Sequence, residues 1–285
     1  MEIHPRYDVD PAIVVDCSIE EIAVPFLRQR RRLAALLHEL SAVEWAAPSR
    51  CEGWSTQDVV GHVVSTDGFW GVSLESALDG APTKLLVGFD PKATPAQIAA
   101  GAGPVDRGDL LARHAGGVDA LCRAVESLTD DQWDLAAEAP PGHVSVRTML
   151  HHALWDTWIH ERDVVLPLGR AAVEEPDEIA ACLRYVACLS PAFGQYTDPA
   201  RTGSLVLDAT DPQVRLVVEV GRSVSVRSVG SAAPDALELH GDAVELVEQL
   251  SVRMPFDHTI PTEHRWMVSS LAEVFETEPL RQEHG

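Results

Sequence analysis

Positive charge is scarce in this 285-residue sequence: 22 lysines and arginines stand against 44 aspartates and glutamates, a formal charge of −22. A surface that acidic repels phosphate backbones and anionic headgroups, so binding to nucleic acid or to a membrane surface is not expected. Long hydrophobic runs are missing too, since no stretch approaches the roughly 20 uninterrupted apolar residues of a spanning helix. The opening residues, MEIHPRYDVDPAIVVDCSIEE, have acidic groups where a signal peptide needs a basic region and an apolar core. The five cysteines (Cys17, Cys51, Cys122, Cys182 and Cys188) are scattered and odd in number, with no CxxC pair. That distribution indicates neither a disulfide framework nor a cysteine zinc knot, and a reduced, cytoplasmic setting is the expectation. What is present is 46% hydrophobic and 23% charged residues, the balance of a folded chain long enough for two domains.

The first two thirds read as helices. Apolar residues recur at helical spacing through Val24, Leu27, Leu33, Leu36, Leu37 and Leu40. Ser55-Thr-Gln-Asp58 opens a second helix in the manner of a capping box, running through Trp70 towards Leu78. A Gly/Pro/Ala-rich connection follows over residues 80–103, with a short helix predicted at 95–100. Further helices are predicted at 109–128, weakened by Gly116-Gly117, at 145–166, and at 176–190, the last ended by Pro191. Beyond the loop at 197–204 the period changes from helical to alternating. Strands are expected at 204–208, 214–220, 223–229 and 235–240, with turns at Asp211-Pro212 and Gly221-Arg222, then helices at 241–250 and 262–275. The expected fold is α+β overall: a helical bundle over residues 1–196 and a small α+β domain over 203–285.

The fourth helix carries the chemistry. His152, Asp156 and His160 follow one another at i, i+4 and i+8, so they share one face with Met149, Ala153, Ile159 and Val164. Two imidazoles and a carboxylate among apolar positions are costly unless something satisfies them, and a divalent metal with nitrogen and oxygen ligands would do so. On the second helix His62 shares its face with Val59, Thr66, Phe69 and Trp70. One ligand from a facing helix added to an i, i+4 pair is a workable bundle site. The alternatives are a hydrogen-bonded core histidine at His62, and buried polar pairing or a solvated face for Asp156 and His160.

The segment Pro48-Ser-Arg-Cys-Glu-Gly-Trp-Ser-Thr-Gln-Asp-Val-Val-Gly-His62 resembles a signature of the mycothiol-dependent maleylpyruvate isomerase family, a branch of the DinB-like metal-binding bundles. Asp156-Thr-Trp-Ile-His160-Glu-Arg-Asp163 is similar to its second signature, and Leu239-His-Gly-Asp-Ala-Val with Leu250-Ser-Val-Arg253 resembles its sterol-carrier-like C-terminal domain. The resemblance implies a DinB-like four-helix bundle ahead of that domain. It also implies His62, Asp156 and His160 as ligands of Zn²⁺ or another divalent metal, and mycothiol as thiol cofactor. The family usually has Glu where this chain has Asp156, one methylene shorter, which leaves metal position and identity open. His152 reads as a pocket residue more than a ligand. Asp163 matches the family's downstream Asp, either holding a ligand by hydrogen bond or forming a surface salt bridge.

The chemistry implied is that the metal lowers the pKa of a bound thiol, and the thiolate adds to an activated cis double bond. Rotation and elimination then give the trans product; S-transferase relatives leave the thiol attached. Arg253 matches an Arg of the family's C-terminal domain and would clamp an anionic substrate, the alternative being a plain surface Arg. The expectation is thus an isomerase or S-transferase acting on a small unsaturated metabolite, as monomer or homodimer. Two other readings stay open: a thiol-independent Lewis-acid metalloenzyme of specialised metabolism, and a non-catalytic small-molecule-binding protein.

Overall fold

A computed structural model of the chain describes residues 3–8, 10–91, 93–94, 105–228 and 230–275; the short helix expected at 95–100 lies outside them. Four helices close a bundle: α1 (Glu20–Glu39), α3 (Thr56–Leu78), α4 (Arg107–Glu126) and α5 (Val146–Val165), with a one-turn α2 (Ala42–Trp45) between the first two. Around the ring α1 packs on α5, α5 on α3, α3 on α4 and α4 on α1. The start of α3 forms as the sequence implies. The Ser55 hydroxyl accepts from the Asp58 N–H while the Asp58 carboxylate accepts from the Ser55 N–H at 2.8 Å, fixing the helical phase that aims His62.

Unlike a surface helix of the bundle, α5 is covered on both sides. Its second face meets α6 (Pro176–Thr197), so that Glu161, which the helical wheel puts on a polar side, is itself buried. Arg32 resolves that burial by donating to both Glu161 and Glu178 at 2.6–3.0 Å. Pro191 does not end α6 as predicted; it lies inside the helix. The missing N–H and the ring clash cost about 3 kcal/mol, but the turn beyond it buries Ala192, Phe193 and Gln195. The burial of those side chains offsets the break.

The last third forms a sheet of order β1-β6-β5-β4-β7, from β4 (Gly203–Thr210), β5 (Val214–Val220), β6 (Val224–Arg227) and β7 (Leu237–Asp242). The sheet packs directly on α6, as do helices α7 (Ala243–Leu250) and α8 (Trp266–Val274). The edge strand β1 (Ile13–Val15) comes from the N-terminal segment and pairs in parallel with β6, Ile13 opposite Val224. One apolar core accordingly runs from Ile13 and Phe26 through Tyr185 to Leu205 and Leu271. A short hairpin, β2 (Ala136–Ala139) and β3 (Gly142–Ser145), precedes α5. Its Glu138 is fully buried and accepts from the Tyr7 and Thr83 hydroxyls at 2.6 Å and from the N–H groups of Leu85 and Leu86 at 2.8 Å. Among the described residues no helix is long and apolar enough to cross a membrane.

Candidate metal centre

His62 on α3 and the Asp156/His160 pair on α5 meet where the two helices face each other. His62 Nε2 lies 3.9 Å from Asp156 Oδ1, His160 Nε2 lies 3.6 Å from the same oxygen, and the two imidazole centroids are 4.8 Å apart. One donor atom from each residue falls within 4.8 Å of the others. All three side chains are mostly sealed, with 11–17% exposure, which leaves a narrow approach from solvent.

The residues fit a divalent ion. Asp156 Oδ2 is buried and has no hydrogen-bond partner, an expensive state for a carboxylate unless a cation answers it. Burial opposes ionisation of Asp156, yet the neighbouring His62 and His160 outweigh it and hold the carboxyl well below the usual range. Burial likewise opposes charge on His160, but Asp163, Cys51 and Asp156 reverse that and raise its pKa to about 10. The local field therefore favours positive charge among these three side chains.

The surroundings hold these side chains in place. His160 Nδ1 bonds Asp163 Oδ2 at 3.1 Å, which leaves Nε2 turned towards Asp156 and His62. Asp163 is fully buried and receives Arg253 through Nε at 3.0 Å and Nη2 at 2.9 Å, and Arg50 through Nε at 3.0 Å. Glu248 of α7 takes both Nη groups of Arg50 at 2.7 and 3.1 Å and the Nε of Arg162 at 2.6 Å. An ionic lattice thus connects α5, the loop before α3 and the segment after α7. The edge of Trp54 packs on His62, with centroids 5.7 Å apart.

Arg253 sits beside the centre, joined to it through Asp163, and most of its donor fork is already engaged. Its Nη1 reaches only the Ser251 carbonyl, at 3.4 Å. The residue between them, Val252, has φ 60°, a left-handed conformation that a β-branched side chain rarely adopts. That turn directs Arg253 onto Asp163 and Ser251 onto the indole N–H of Trp155, 2.8 Å away. His152 stands apart from the three donors: its Nδ1 bonds the Tyr185 hydroxyl at 2.5 Å between the rings of Trp70 and Trp155. Burial lowers its pKa to about 4, so it stands neutral.

Sequence reasoning assigned no role to Arg50, Cys51 or Glu248. The thiol of Cys51 donates to Asp163 Oδ2 at 3.2 Å and lies 4.0 Å from His160 Nδ1. Cys51, His160 and Asp163 are also close enough for a cation, but Arg50 and Arg253 occupy Asp163 and would repel one. The signal for Arg50 and Cys51 was their place in the Pro48–His62 motif; nothing local announced Glu248.

The family model described as the mycothiol maleylpyruvate isomerase N-terminal domain matches residues 26–165, a span holding His62, Asp156 and His160. The crystal structure of the mycothiol-dependent maleylpyruvate isomerase superposes with a TM-score of 0.59 at 20% identity, covering 84% of this chain and 91% of that one. A histidine-to-alanine mutant of that isomerase superposes with a TM-score of 0.58 at the same identity and coverage. No curated protein matches the chain. Residues 26–165 thus match the model of the mycothiol maleylpyruvate isomerase N-terminal domain, and most of the chain shares the fold of the solved isomerase.

Proposed function

We propose that the protein is a metal-dependent, thiol-assisted isomerase or S-transferase of the maleylpyruvate isomerase type, acting on a small unsaturated metabolite. One observation carries the reading: His62 Nε2, Asp156 Oδ1 and His160 Nε2 converge while the second Asp156 oxygen stays buried and unpartnered. His62, Asp156 and His160 would hold the ion, and Zn²⁺ suits two imidazoles and a carboxylate with a position left for a further ligand. A bound divalent ion lowers the pKa of a thiol and keeps mycothiol as thiolate near neutral pH.

The chain's own groups do the remaining work. Asp163 fixes the His160 ring by its Nδ1 and leaves Nε2 to face the cleft. Trp54 shields His62 from bulk water on one side. Arg253 offers its Nη1 side to an anionic group on the substrate, with Asp163 holding the guanidinium in place. Cys122, Cys182 and Cys188 are buried and Cys17 is not beside the centre, while Cys51, 4.0 Å from His160 Nδ1, commits its thiol to Asp163. An external thiol as nucleophile accords with that distribution.

Elemental analysis of the purified protein, paired with a thermal-shift titration of mycothiol, tests the reading. About one equivalent of metal and a thiol-dependent rise in melting temperature that vanishes in Asp156→Ala are expected. A protein that neither retains nor takes up a divalent metal would overturn it. Thiol binding indifferent to the metal would remove the thiol's proposed role.

A further inference from the structure

We propose that Arg30, on a helix that carries no ligand, is a positioning residue that sets the spacing between α3 and α5 at the metal centre; the inference rests on the metal-centre reading above. Arg30 is completely buried. Its Nη1 pairs with Asp67 of α3, five residues after His62, and its Nη2 donates to the Ala153 carbonyl of α5 at 2.8 Å, three residues before Asp156. The hydroxyl of Thr157 donates to the same carbonyl at 2.9 Å. One planar guanidinium therefore spans the two helices whose facing surfaces supply all three ligands, with its carbon 5.2 Å from the centroid of the Phe26 ring.

The surroundings of the pair explain why it is not merely packing. Asp67 Oδ2 is sealed and without a partner, and the ring facing it at 3.9 Å, His114, is itself sealed with Nε2 unbonded. Burial, helped by the charge of Arg30, lowers the His114 pKa to about 4, so this ring is neutral and offers Asp67 no compensating charge. Replacing a buried pair by apolar side chains of similar volume is often neutral or stabilising, so stability alone does not account for this one. What apolar contacts do not supply is direction. The fork of Arg30 has a fixed span and angle, so it fixes both the separation and the rotation of α3 against α5. A metal site tolerates only small errors in donor placement.

The experiment separates positioning from packing. The double variant Arg30→Met/Asp67→Leu replaces the pair by apolar groups, and its melting temperature and its Zn²⁺ affinity, by competition with a chromogenic chelator, are measured beside the parent protein. A melting temperature at or above that of the parent is expected, together with Zn²⁺ affinity lowered about tenfold or more. A stable double variant that binds Zn²⁺ as the parent does would overturn the proposal. Arg30→Lys covers the case in which the double variant does not fold. It keeps the charge, but its single ammonium cannot hold Asp67 and the Ala153 carbonyl at the fork's spacing. It too must lose affinity, and parental affinity there overturns the proposal equally. If the parent protein binds no Zn²⁺, the metal-centre reading is what has failed.

Discussion

His160 and Asp163 are bound to each other through Nδ1 and Oδ2 at 3.1 Å, and the same carboxylate oxygen receives Nη2 of Arg253 at 2.9 Å. A residue 90 positions downstream is thereby tied to an imidazole of the candidate metal centre by one intervening group. Asp163→Asn is expected to keep the side-chain shape while removing the charge. Carboxylate partners of ligating histidines typically contribute about 10–100-fold in metal affinity, and a loss in that range is expected by chelator competition. The melting temperature should fall as well, because Arg50 and Arg253 lose a buried counter-charge.

Asp156→Ala separates site from fold. Asp156 Oδ2 makes no hydrogen bond, and its Oδ1 contacts are with the two histidines of the centre. Its removal should abolish metal retention in elemental analysis and leave the circular dichroism spectrum unchanged. Asp156→Glu adds one methylene and keeps the carboxylate, so about one equivalent of metal should remain, with altered affinity. Cooperative unfolding of Asp156→Ala would make the ion a structural element, as in small zinc domains.

Arg253→Lys tests the reach of the C-terminal segment. A lysine places one ammonium where Nε and Nη2 now share Asp163 and Nη1 faces outward. Turnover of an anionic unsaturated substrate should fall sharply. Metal content should stay near one equivalent, since Arg50 still holds Asp163. Turnover equal to that of the parent would confine Arg253 to a structural part.

Three buried histidines set an acid limit on stability. Burial lowers the pKa of His114 and His152 to about 4 and of His151 to about 3. In the unfolded chain these groups titrate near 6.5. Between pH 6.5 and about 4 the unfolded state therefore binds protons that the folded state refuses, and stability falls as pH falls. Each histidine contributes a slope of up to about 1.4 kcal/mol per pH unit in that window. Melting temperatures between pH 7 and 4 should show the decline, and His114→Leu should make it shallower.

The helical part of the site was legible because α-helical periodicity is a local property. The Ser55/Asp58 box fixed the phase of α3, and the i, i+4 spacing put Asp156 and His160 on one face. The bundle's fourth helix matched its expected span to within a residue or two. Other parts depend on contacts distant in sequence. Glu248 reaches Arg50 across 198 positions, and no local pattern encodes that pairing. Strand β2 reads Ala-Ala-Glu-Ala, a composition with little strand preference; it pairs with β3 while Glu138 binds four donors from elsewhere in the chain. The three residues of β1 are too few to show a period, and their partner strand lies in the last third of the chain. At Pro191 a valid local rule lost to burial of the turn beyond it.

The pairing of β1 with β6 also imposes an order of events on biosynthesis. The opening strand leaves the ribosome long before its partner exists, and the neighbouring bond from Arg6 to the Arg222 carbonyl joins groups 216 positions apart. At about 5–20 residues per second, the Ile-Val-Val segment must wait on the order of 10–40 s for β6 to emerge. Through that interval its edge is open to any other strand, including the same segment of a neighbouring nascent chain. The acidic residues that flank it, Asp10 and Asp16, stand where charge discourages such pairing. The slowest and most vulnerable step in making this protein should therefore be the closing of its sheet, well after the helices that carry His62, Asp156 and His160 have formed.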